Sequence, residues 1–102
     1  MNEELSYLDA ELKGLFVEEK YDEIEERLKD RPDGDIKEIY SYNWNVVKKY
    51  YDAENFELLF KHIKFVAYSC FMAEYANVRG LVSQDAFTSV TDTITKILNK
   101  KA

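Results

Sequence analysis

Proline, glycine, cysteine and histidine are scarce in this sequence, with one Pro, three Gly, one Cys and one His among 102 residues. An all-β domain of this size needs far more turns than so few breakers supply, which favours helix. A lone Cys70 can form neither an internal disulfide nor a cysteine-rich zinc site, and it suits a reducing, cytoplasmic setting. A lone His62 leaves a two-histidine metal site without its second ligand. The Glu-x-x-His pair of helical di-iron proteins fails as well, because Leu59 stands three residues before His62. His62 therefore reads as a surface or boundary residue of its helix.

Long hydrophobic runs are also missing. The most apolar stretch, "FVAYSCFMAEYANVRGL" at residues 65 to 81, opens with nine uncharged residues, against the roughly 20 that a membrane-spanning helix requires. The start, "MNEELSYLDAEL", is acidic and amphipathic where a secretory signal would be basic and then apolar, so no export is expected. Neither a glycine-rich phosphate loop nor a Gly-x-Ser-x-Gly elbow occurs, and the expectation is a protein without enzyme activity or cofactor.

Positive charge is thin and unevenly placed. Residues 1 to 35 carry thirteen Asp/Glu against five Lys/Arg, a net of −8, while residues 36 to 102 carry seven against nine, a net of +2. With a formal charge of −6 and no basic cluster denser than Lys48-Lys49, the attraction that drives binding to phosphate backbones is lacking. Direct binding to nucleic acid is not expected, and an acidic front of this kind suits a basic protein partner.

What is present is packing material: 46% hydrophobic residues, among them eight Tyr, six Phe and one Trp, in a length that suits one domain. The spacing of apolar residues predicts an all-α bundle of about five helices. Leu5, Leu8, Leu12, Leu15 and Phe16 recur at steps of three and four with Asp9 and its charged neighbours opposite, and Asn2 is placed to cap them. "YDEIEERLKD" repeats the spacing, so residues 1 to 30 read as an acidic helical hairpin. "RPDGD" breaks the chain, and Asp35 followed by Glu38 has the pattern of a capping box for a third helix to about Tyr51. Asp52 then reads as the cap of a fourth helix, about 53 to 78, that buries Phe56, Leu59, Phe60, Ile63, Val66, Ala67 and Cys70 and becomes apolar all round from Phe65, as a central helix does. Gly80 suits its C-terminal cap, and Ser83 starts a fifth helix striped by Phe87, Val90, Ile94, Ile97 and Leu98. Residues 35 to 99 thus hold three longer helices.

Glu19, Asp22, Glu23 and Glu26 share one predicted helix face. This reads as a solvated acidic surface near a helix N-terminus more readily than as a cation site. Tyr42, Trp44 and Tyr51 cannot all face inward if Tyr40, Asn43, Val47 and Tyr50 do, which makes them candidate anchors for a partner. The competing reading is that these rings only cover the hairpin. Cys70, Glu74 and Phe87 outline a candidate ligand pocket between the last two helices. Glu74 on so apolar a helix needs a partner such as Arg79, or else a boundary position.

The stretch "KFVAYSCFMAEYANVRGLVSQDAFTSVTDTITKIL" resembles the helical segment that precedes the DNA-binding domain in some Firmicutes regulators of the AraC family. Phe65, Val66, Ala67, Gly80, Leu81, Ala86, Phe87 and Ile94 stand at matching positions, and "LFVEEKYDEIEERL" is similar to the upstream hairpin. Glu74 departs from that pattern, where arginine is usual, and no helix-turn-helix domain follows. The resemblance implies a regulatory, partner-binding helical module without its own DNA reader. The resulting expectation is a protein-protein interaction module of regulatory or inhibitory kind, with homodimerisation open. The alternatives are a small-ligand sensor and an acidic mimic of nucleic acid that inhibits a basic enzyme.

Overall fold

The long fourth helix expected over 53 to 78 is two helices that meet at His62. In the computed structural model, which describes residues 1 to 100, the order is α1 (Glu3–Val17), α2 (Tyr21–Leu28), α3 (Asp33–Asp52), α4 (Phe56–Lys61), α5 (Ile63–Val78) and α6 (Gln84–Lys100). The bundle is therefore all-α with six helices among the described residues. Among the described residues no helix is long and apolar enough to cross a membrane.

His62 closes α4 and opens α5 with φ −112° and ψ 39°, outside the helical region. A straight helix would carry the apolar stripe on through Ile63 and Ala67. Both are exposed, and after the break Val66, Ser69, Met72, Ala73 and Ala76 turn inward with Tyr68. The break lets one apolar stretch serve two directions: Leu59 packs with Val47 and Ile97, and α5 then runs through the middle of the molecule against α1, α3, α4 and α6. The central helix is thus α5 alone.

Local signals place most helix ends. Asn2 Oδ1 accepts the Leu5 amide at 2.8 Å, and Ser83 Oγ accepts the Ala86 amide at 3.1 Å, each quieting an otherwise unpaired N–H of a first turn. Gly80, at φ +83°, closes α5 with paired bonds from its own amide to Asn77 O and from Leu81 N to Ala76 O. The same motif ends α1 and α3, but there Glu19 (φ +61°) and Glu54 (φ +56°) occupy the left-handed position that glycine fills without strain.

Two expected caps are corrected. α3 begins at Asp33, behind Pro32, rather than at an Asp35 cap, because Pro32 carries the right φ (−57°) and its carbonyl already accepts from Asp35 and Ile36. Asp35 instead joins the first turn and pairs with Arg31 at 3.1 Å. Asp52 is the last residue of α3, and Asn55 caps α4 by accepting from the Leu58 amide. The stripe on α6 holds at Val90 and Ile97, whereas Leu98 lies exposed.

The core has two parts. Leu5, Leu12, Ile24, Leu28, Ile36, Ile39, Tyr68, Met72 and Ala76 form the larger, and Val47, Leu59, Val66 and Ile97 the smaller. Each fully buried aliphatic side chain contributes about 1.5–3 kcal/mol by leaving water. α3 and α5 supply residues to both parts and so join them.

Candidate functional site

Between the two core regions lies a polar node. Asp9, only 3% exposed, accepts hydrogen bonds from Asn43 Nδ2 at 2.9 Å and from the Tyr68 hydroxyl at 2.8 Å, and it pairs with Lys13 Nζ at 2.7 Å. Asn43 Nδ2 also donates to Ile39 O, and the Lys13 ammonium lies 4.1 Å from the centre of the Phe65 ring. Burial, and then the Asp9 charge and hydrogen bond, push the Tyr68 phenol far above its ordinary range, so it stays a donor. The carboxylate is matched by one cation and two donors and is closed off from solvent. Its effect is structural, pinning α1, α3 and α5 in one register.

The reading that set Asp9 on the polar face of α1 is therefore corrected. The signal was present in the sequence, since Asp9 stands four residues after Leu5 and three before Leu12, within the same stripe.

Tyr42, Trp44 and Tyr51 do not form one surface. Tyr42 is 46% exposed, but Trp44 and Tyr51 are half-buried against the smaller core, with Tyr51 edge-on to Phe56 at 5.9 Å. Trp44 and Tyr51 are seven residues apart and share a helix face, while Tyr42 lies two residues from Trp44 and so points away from it.

Cys70 and Phe87 are half-buried on α5 and α6. Burial, and secondarily the nearby Glu74 carboxylate, raise the Cys70 thiol above its ordinary value, which keeps it protonated and unreactive. Glu74 is exposed and, one turn beyond Cys70, stands beside α2. Arg79, its suggested partner, is committed elsewhere. Its guanidinium donates to Leu28 O at 2.9 Å and to Arg31 O, and its Nε pairs with Asp33 at 3.1 Å, so the residue just after α5 caps the end of α2 and holds the turn into α3.

An acidic depression of about 530 Å³ lies between α2 and α5. Phe71, Tyr75 and Val78 line it from α5, with Val78 81% exposed; Asp22, Glu25, Glu26 and Glu74 stand around it, and Lys29 pairs with Glu26 at 2.7 Å. Phe71 is braced by Phe16 and Tyr21, at 5.6 and 5.9 Å between ring centres. The face of four carboxylates expected from spacing is divided, because Glu19 lies in the turn before α2 and only Asp22 and Glu26 reach this depression. Among the described residues no three His, Cys, Asp or Glu side chains gather as a metal ion would require.

Sequence reasoning missed this depression because its apolar members lie on a helix that is apolar all round. No protein-family model, curated protein or solved structure matches the chain.

Proposed function

We propose that this protein is a non-enzymatic interaction module, regulatory or inhibitory in role, that receives a cationic, amphipathic segment of a protein partner in the depression between α2 and α5. The observation that supports this reading is the pairing of an apolar floor with four carboxylates and one lysine already engaged by Glu26. A partner helix or strand with one apolar face and basic edges would cover Val78, Phe71 and Tyr75, and its charges would speed encounter and set its orientation. The net charge of −8 over residues 1 to 35 extends the same attraction over the front of the molecule. The resemblance to a helical segment of AraC-family regulators points toward the same role. Tyr42 offers an exposed ring elsewhere on the surface, with Trp44 and Tyr51 half-buried on the same helix.

The test compares capture of basic proteins from the native cell by the wild type, by Val78→Asp with Glu74→Lys, and by Tyr42→Ala with Trp44→Ala. The reading expects one partner to be lost with the first pair and weakened by salt. Recovery indifferent to both the groove changes and salt would sink it, and loss only with the second pair would move the anchor to α3.

A further inference from the structure

The opposite half of α5 has a different character. Val46, Val47 and Tyr50 of α3, Leu58 and Leu59 of α4, and Phe65 and Val66 of α5 line a half-open apolar pocket of about 330 Å³ whose one titratable rim residue besides Tyr50 is His62. His62 and Phe65 also line the adjoining depression, together with Lys13, Lys61 and Lys64. Lys13 is engaged by Asp9. Lys61, His62 and Lys64 form no ion pair among the described residues, and the first turn of α5 holds no carboxylate. Lys61 complements the C-terminal end of α4, but Lys64 in the first turn of α5 opposes that helix's dipole, so helix stability does not account for its position.

We infer that this pocket binds a single-chain amphiphilic anion, its alkyl tail against the apolar walls and its carboxylate among Lys61, His62 and Lys64. The volume falls at the lower end of the range for small-molecule sites and is about twice that of a dry cavity known to take benzene. Counting a methylene as about the 30 Å³ share of a liquid water molecule, the space admits a chain of about ten carbons. An apolar lining rewards the tail at about 0.8 kcal/mol per buried methylene, and charge complementarity selects an acid over an alcohol of equal length. The site shares no residue with the α2–α5 depression, and each reading can fail without the other.

The experiment is calorimetric titration of the full chain with decanoate, decanol and acetate, below the concentration at which decanoate forms micelles. Decanoate is expected to bind saturably at one site, decanol more weakly and acetate not at all. Lys61→Glu with Lys64→Glu should weaken decanoate by roughly three- to thirtyfold, the worth of two exposed ion pairs, and leave decanol unchanged. Leu58→Trp should abolish binding of both, with Val46→Phe from the facing wall giving the same reading if the first variant unfolds. No saturation by decanoate, equal affinity for decanol, or indifference to the paired lysine change would each overturn the inference. Capture by phosphatidylglycerol vesicles without binding of free decanoate would also overturn it, by assigning the lysines to a bilayer surface.

Discussion

The carboxylate of Asp9 and the hydroxyl of Tyr68 meet at 2.8 Å across 59 positions of sequence, in a site almost wholly shielded from water. Asp9→Ala would leave Lys13 and Tyr68 without their acceptor and Asn43 with Ile39 O alone. The expected loss is about 1–3 kcal/mol, the cost of leaving the buried Tyr68 hydroxyl unpaired, since the partly exposed Lys13 ammonium can turn to water. Tyr68→Phe removes one hydrogen bond to a charged group and should cost about 1.5–3 kcal/mol. Urea unfolding measures both. Asp9→Ala within about 0.5 kcal/mol of the wild type, the scatter of ordinary surface changes, would show that the node does not hold the helices together.

The same contact predicts a response to alkali. The Tyr68 phenol is raised above its ordinary value of 10.0 in the folded protein, so the unfolded chain loses that proton first as pH climbs. Stability is full below pH 10 and should fall above it by about 1.4 kcal/mol per pH unit for this one group. Cys70 and Tyr40, both raised by burial, add to the decline, the thiol from its ordinary value of 9.0. Tyr68→Phe should remove about 1 kcal/mol of the decline between pH 10 and 11, where the unfolded-chain phenol passes from half to almost fully ionised. An unaltered slope would mean that the phenol reaches solvent.

Glu54 holds a left-handed backbone with φ +56° to close α3. Glu54→Gly relieves steric strain of about 1–2 kcal/mol and costs part of it back in unfolded-chain entropy, leaving an expected gain of about 0.5–1 kcal/mol. Thermal unfolding should shift upward by a few degrees. A fall in the midpoint would show that the Glu54 side chain contributes more than its conformation costs.

Arg79 ties α5 to the end of α2 and to the turn before α3. Arg79→Lys should destabilise nearly as much as Arg79→Ala, by about 1.5–3 kcal/mol, since an ammonium cannot span two carbonyls and a carboxylate as the planar guanidinium does. Hydrogen exchange should show the loss concentrated in α2, whose eight residues are too few to persist without tertiary support. Full rescue by lysine would reduce the interaction to charge alone.

The sequence by itself determined the helical class, the apolar stripes of α1, α2 and α6, and the caps at Asn2, Ser83 and Gly80. These depend on contacts within a turn or two of chain, where spacing and residue type act directly. Tertiary structure alone decided that α5 departs from α4 at His62, that Asp9 meets Asn43 and Tyr68, that Arg79 serves α2 in place of Glu74, and that Trp44 and Tyr51 are half-covered while Tyr42 is not. Each of those outcomes depends on which helix crosses which, and crossings join residues tens of positions apart whose mutual fit leaves no periodic trace along the chain.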